Sequence, residues 1–336
     1  MRAVACSGVR PSPHRGVEAR LALRRTRLPG GKQGDVWCVS ERDVGFLFHE
    51  VGESEATCSY LRHGVTIARG STVVDVGANI GLFTRLARRL AGPSGRVLAL
   101  EPIEETFACL ARNVSEDDGP ELAPAVTQKV GLSDARGTAE FHFYPAGAGW
   151  SGVVGEGDGE EGDWSSRVNV TSTAAYVVNV LDTPLVASRA LGRATAAVGR
   201  ALKWALPAWA FRRAVGLAVG RMAASGTRVT CELTTLSLAL AEAGMDDGAP
   251  IDLLKVDVEG HELRVLQGIS ALDFARIQQA ALEVQTEANV AAVTDLLTSH
   301  GLQVVSGQDP ALVDTPFYTV HARRQGLSRP LLSPVS

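Results

Sequence analysis

The chain of 336 residues has no CxxC pair: its five cysteines (Cys6, Cys38, Cys58, Cys109 and Cys231) are scattered and odd in number. That pattern excludes a disulfide framework and a zinc cluster, and it predicts a reducing compartment, the cytoplasm. No stretch of about 18 or more apolar residues is free of charge, so no membrane-spanning helix is expected. The basic N-terminus lacks an apolar segment ahead of a cleavage site, so no secretory signal is read there. GxGxxG and GxxxxGK[ST] are both missing, which removes the usual signs of a dinucleotide or triphosphate site. What remains is an ordinary composition, 45% apolar and 21% charged, which excludes wholesale disorder and a coiled coil. The length is enough for one large or two modest domains with a full core.

The net charge of −4 is unevenly spread. Residues 1–34 carry +7 and residues 183–231 carry +8 with no acid at all, so the rest of the chain holds −19. An acidic body argues against nucleic acid as a general partner. Any affinity for anions belongs to the two basic stretches.

Residues 1–34 have little periodicity and read as a basic mobile arm. A short strand is expected at 36–40, then a helix at 43–60 with Asp43 as N-cap. From residue 72 onward apolar runs alternate with helical periods: strands at 72–77, 96–101 and 125–130, and helices at 80–90 and 104–114. The segment TAEFHFY (138–144) alternates as an antiparallel strand does. The pattern resumes late, with strands at 251–257 and 277–284, helices from 261 and at 289–300, and a closing strand pair at 302–305 and 317–321. Strand–helix–strand repeats with short links predict an α/β domain (35–325) built on a doubly wound, mostly parallel sheet with an antiparallel closing strand. Residues 326–336 form a tail.

Two stretches interrupt it. Residues 145–166 hold seven glycines and five acids, and read as an acidic surface loop. Residues 183–228 read as basic helices. At about 100° per residue, Arg193, Arg200 and Lys203 fall within about 40° of Arg189, opposite Leu191, Ala194, Val198 and Leu202. Pro207 ends that helix, and a second one holds Arg212, Arg213 and Arg221. The insertion is either a lid packed on the domain or a helix that lies on a membrane or docks an acidic carrier partner.

The segment DVGANIGLF (75–83) puts a glycine turn between the first strand and helix of the sheet, the usual nucleotide crevice. Asp75 would repel a pyrophosphate and attract an ammonium or sulfonium. Glu101, followed by Pro102, ends the second strand and can accept the two hydroxyls of a ribose. A cationic amino-acid tail plus a ribose describes S-adenosylmethionine.

DVGANIGLF, ALEP (99–102), GLSD (131–134) and LLKVDVEGHE (253–262) together resemble the FkbM family of S-adenosylmethionine-dependent O-methyltransferases. SYLRHGV (59–65) and FYTVHARR (317–324) resemble members from polyketide and nonribosomal-peptide clusters. The resemblance implies a class I methyltransferase (Rossmann-like) fold with a helical insertion, and methyl transfer to a hydroxyl of a small secondary metabolite, free or carrier-bound. It implies that Asp75, Gly77, Ala78, Asn79, Gly81, Glu101 and Pro102 bind the cofactor, with Leu132 and Ser133 against the adenine. Where the family often has EVH, this chain has Glu283-Val284-Gln285, so a base role for that His does not carry over.

Three residues at or just past the end of the strand expected at 251–257 are the catalytic candidates. His261 suits a base near neutral pH, since an imidazole titrates near 6.5. Asp257 and Glu259, alternating by two, are placed to shape the acceptor pocket or to hold Mg²⁺. Lys255 shares the parity of Asp257 and reads as an ion-pair partner; His142 reads as a strand residue. Two rivals remain: a methyltransferase-like module that binds without turnover, and a nicotinamide-dependent reductase. The second lacks its GxGxxG, and no Tyr is followed by Lys four residues on.

Overall fold

The computed structural model describes residues 23–28, 34–117, 119–154, 201, 204–223, 225–309, 312–313 and 315–326. They form β1 (Arg24–Arg27), β2 (Asp35–Cys38), α1 (Glu41–Val51), β3 (Thr72–Val76), α2 (Leu82–Ala91), β4 (Arg96–Leu100), α3 (Glu104–Glu116), β5 (Ala125–Gln128), β6 (Gly131–Leu132), β7 (Gly137–Phe143) and β8 (Gly152–Val153). There follow α4 (Ala208–Ala223), β9 (Thr227–Thr234), α5 (Leu236–Glu242), β10 (Leu253–Val256), α6 (Glu262–Gln267), α7 (Ala271–Arg276), β11 (Gln279–Gln285), α8 (Glu287–Ser299), β12 (Leu302–Gly307) and β13 (Phe317–Arg324).

β3 is buried along its whole length, as a strand is when both faces of its sheet are covered. It sits inside a seven-stranded sheet of order β12-β13-β11-β10-β3-β4-β5. β5, β4, β3, β10 and β11 run parallel, while β13 is antiparallel to both neighbours. This is the doubly wound sheet with an antiparallel closing strand of a class I methyltransferase fold. Alternation along the strands divides the core in two. Val74, Val76, Leu254 and Val256 face α5 to α8. Val73 and Leu253 face α1 and α2. The chain goes from β3 outward to β4 and β5, and only later returns to β10 on the other side of β3. A crevice therefore opens at the carboxyl ends of β3 and β10.

Several elements differ from what the pattern predicts. The helix expected at 43–60 is α1, which starts two residues before Asp43 and ends before Gly52 at φ 67; two short 3₁₀ turns follow. Asp43 is therefore inside the first turn and is not the N-cap. β1, in the stretch assigned to the arm, pairs antiparallel with β2. A second sheet of order β6-β9-β7-β8 is present; β9, whose alternation is diluted by threonines, and the short helices α5 and α7 were not anticipated. The glycine stretch at 145–166 is not a surface loop at its start: Ala148–Trp150 is a 3₁₀ turn and Gly152–Val153 a strand. Gly152 permits this, because a Cβ there would lie 2.8 Å from the Cβ of Glu259. The remainder from 155, the first predicted basic helix with Arg189, Arg193 and Lys203, and the tail beyond Gly326 fall outside the described residues. The second basic helix is α4, directly after Pro207.

Candidate active site

The glycine turn after β3 is fixed by its own backbone. Gly77 and Ala78 donate to the carbonyl of Leu100 at 3.0 and 2.9 Å, and Gly81 donates to Ala78 at 2.8 Å. Gly77 has φ 73, and a Cβ on it would lie 1.8 Å from the carbonyl oxygen of Asp257. The turn thus packs directly on the end of β10. Gly77→Ala combines left-handed strain of about 1–2 kcal/mol with that overlap. We expect it to lower Tm by at least about 4 °C, at roughly 2–4 °C per kcal/mol; a native melting curve would show that the turn can relax.

Glu101 is buried beside the turn. Its Oε1 accepts from the Thr106 hydroxyl at 2.6 Å and the Ile103 amide at 3.1 Å; Oε2 accepts from the Asn79 amide at 2.9 Å. Burial pushes its carboxyl above the ordinary range against these hydrogen bonds.

Asp75 lies beneath this crevice and does not line it. It is fully buried, accepts from the Thr84 hydroxyl at 2.5 Å, and stands 3.3 Å from the Lys255 ammonium, its direct neighbour in the β3–β10 ladder. It therefore cannot meet a sulfonium directly. Lys255 also lies 3.5 Å from Asp257 and donates to the Gly77 carbonyl at 2.8 Å. Burial opposes its charge, but Asp75 and Asp257 more than compensate and hold its pKa above the usual value.

The crevice is a cavity of about 110 Å³ bordered by Gly77, Ala78, Asn79, Glu101 and Pro102 on one side and by Asp257, Glu259 and Glu283 on the other. α1 contributes Glu50. The oxygens of Asp257, Glu259 and Glu283 lie within 4.8 Å of one another. Asp257 accepts from the Tyr60 hydroxyl at 2.9 Å, and Glu259 accepts from the Gln285 amide at 2.7 Å. Burial first, and then repulsion from Asp257, raises Glu50 to about 8 and Glu259 and Glu283 well above the carboxylate range. The strand ends at Val256, so Glu259 reaches the cavity through a left-handed turn (φ 54), not by strand alternation. Lys255 and Tyr60 serve Asp257 and Gln285 serves Glu259, and we assign the cluster no Mg²⁺.

A second cavity, about 780 Å³, adjoins the first. Trp150, Glu259 and Phe317 border both. His261, the N-cap residue of α6, opens on this second cavity, where its Nε2 lies 3.0 Å from the Ser133 hydroxyl. Leu132 is in the core, and Gly81 caps α2 against Leu110; neither borders the first cavity. The sequence reading missed Glu50, Tyr60, Glu283 and Trp150 as cavity residues. Glu50 was within reach of it, because an acid sits on the α1 face that also carries Phe46 and Leu47.

The family model described as "Methyltransferase FkbM domain" matches residues 75–304. The chain is 32% identical over 299 residues to 31-O-demethyl-FK506 methyltransferase FkbM of Streptomyces tacrolimicus, covering 89% of this chain and 96% of that one. It is 28% identical to the methyltransferase sdnD of Sordaria araneosa, over 86% of this chain and 93% of that one. It is also 28% identical to the AMB antimetabolite synthetase AmbE of Pseudomonas aeruginosa, over 90% of this chain but 13% of that much longer protein.

Proposed function

The chain belongs to the FkbM methyltransferase family, and on that premise we propose that it transfers a methyl group from S-adenosylmethionine to a hydroxyl of a small secondary metabolite. The observation that supports this most is one crevice holding the glycine turn, Glu101 and four carboxylates around a single lysine. These groups fit the cofactor. Glu101 Oε2 accepts one hydrogen bond in the fold and keeps a lone pair for a ribose hydroxyl. A cation placed among these crowded acids favours their ionised form, and the acids favour the cation in return. When bound, S-adenosylmethionine supplies an electrophilic methyl on a sulfonium.

We assign the second cavity to the acceptor, whose hydroxyl reaches the first between Trp150 and Phe317. Glu259 is the titratable residue common to both cavities. Gln285 holds its Oε2, which leaves Oε1 to take the hydroxyl proton as the oxygen attacks. The base role thus falls to Glu259 in place of His261, which with Ser133 helps to hold the acceptor. Asp257, fixed by Tyr60 and Lys255, anchors the cationic end of the cofactor. The name of the FK506 relative supports a hydroxyl on a natural product, and the partial match to an antimetabolite synthetase supports an acceptor presented on a carrier.

Calorimetric titration tests the cofactor. S-adenosylmethionine should bind and NAD should give no heat. Glu101→Ala should weaken binding by about 1–3 kcal/mol, the usual cost of leaving buried hydrogen-bond partners unsatisfied. Unchanged affinity would remove Glu101 from the ribose site.

A further inference from the structure

Four of the eight large apolar side chains exposed among the described residues fall within 204–217: Trp204 (90% exposed), Leu206, Trp209 (72%) and Leu217 (58%). At 3.6 residues per turn, Trp209, Arg213, Leu217 and Arg221 share an outward arc of about 120° on α4, and Phe211, buried, points about 200° away from Trp209. Arg213 and Arg221 are exposed on that arc. No acid occurs from 183 to 231. Aromatic, cation, aliphatic and cation therefore alternate along one solvent-facing stripe, in a segment that carries +8.

We propose that this face of α4, with Trp204 and Leu206 ahead of it, docks on an anionic phospholipid surface. The pattern of the stripe favours lipid over a folded acidic protein. A protein interface gathers its apolar side chains in a centre depleted of charge and keeps polar groups at the rim. Here cations and apolar groups are interleaved, which suits a bilayer boundary: tryptophan rings settle at headgroup level while arginines reach up to the phosphates. No helix among the described residues is long and apolar enough to cross a membrane, so α4 lies in the plane of the surface. The proposal does not depend on the identity of the acceptor.

The test uses the full chain with vesicles of phosphatidylcholine alone and of phosphatidylcholine mixed equally with phosphatidylglycerol. The chain should pellet with the mixed vesicles at low salt, show a blue shift of tryptophan emission, and release at high salt. Trp204→Ser with Trp209→Ser should weaken binding at least tenfold and remove the shift. Arg213→Ser with Arg221→Ser should weaken it about thirtyfold, from about fivefold per arginine. Both pairs are exposed, and unchanged affinity for S-adenosylmethionine will show that the variants are folded. Equal binding to both vesicle types, or no binding, overturns the proposal. So does full binding by the tryptophan variant, which would give the affinity to the basic residues before 35. Binding to a purified acidic carrier protein in place of vesicles overturns it too, and makes the stripe a protein dock.

Discussion

Glu259→Gln is expected to lower kcat by about 10²–10⁴-fold, the usual worth of a general base, while cofactor affinity changes little. The substitution is nearly isosteric, and a carboxamide oxygen can still accept from Gln285, which donates to Glu259 at 2.7 Å. The left-handed turn at φ 54 and the packing of Gly152 against the residue's Cβ are also preserved. What disappears is the capacity to take a proton at the boundary of the two cavities. Burial and the neighbouring Asp257 raise the Glu259 pKa well above the carboxylate range. The native rate should therefore climb with pH along a limb lying above the ordinary glutamate value of about 4.3, as Glu259 loses its proton. Residual activity of the variant should lack that limb. His261→Ala should cost less than about tenfold, and EDTA should leave the rate intact. A reversed order, with His261→Ala the more damaging, would return the base role to the imidazole. Loss of activity to EDTA together with a severe Asp257→Asn would restore a metal. If Glu259→Gln also costs less than about tenfold, catalysis rests on orientation of the hydroxyl alone.

The centre of the sheet was legible in the sequence because β3 and β10 are buried on both faces. TVVDV and LLKV read as near-continuous apolar runs with one ionisable residue each, and such runs leave few other assignments. The glycine turn was legible for a related reason: Gly77 sits where no side chain fits against Asp257. In the second sheet β7 was legible from its alternation, but β9 and the two-residue β6 and β8 were not, since their pairing depends on partners far apart in the chain, as when Gly131 meets Leu233. The depth of Asp75 was hidden as well. A lone acid in an apolar strand can face a ligand or an internal cation, and local sequence does not distinguish them. The ladder pairing of Asp75 with Lys255 decides it. Glu259 and His261 are separated by one glycine, yet with left-handed backbone at Glu259 and Gly260 the first borders both cavities and the second only the larger one. Strand alternation, extended past Val256, could not anticipate that.

Lys255→Met should be the most destabilising exchange in the site, by about 3–5 kcal/mol, because it strands a buried partner instead of removing a pair. Lys255 and Asp75 are both almost wholly inaccessible, and their atoms lie 3.3 Å apart. Without the ammonium, the Asp75 carboxylate keeps the Thr84 hydroxyl as its hydrogen-bond donor. At roughly 2–4 °C per kcal/mol the melting temperature should fall by about 6–20 °C. Asp75→Asn in the same chain should recover much of this, because an amide in that position carries no charge to compensate and can still accept from Thr84. A double-mutant cycle should therefore give a coupling energy above about 1.5 kcal/mol, within the range for residues in one buried network. Stability and function should then separate. Lys255 also donates to the Gly77 carbonyl at 2.8 Å and stands beside Asp257, contacts that neither of the two substituted side chains replaces. The double variant should thus melt near the native temperature yet bind S-adenosylmethionine at least tenfold more weakly. If calorimetry finds native affinity in that variant, Lys255 serves the core alone, and the glycine turn is held by its backbone hydrogen bonds to Leu100.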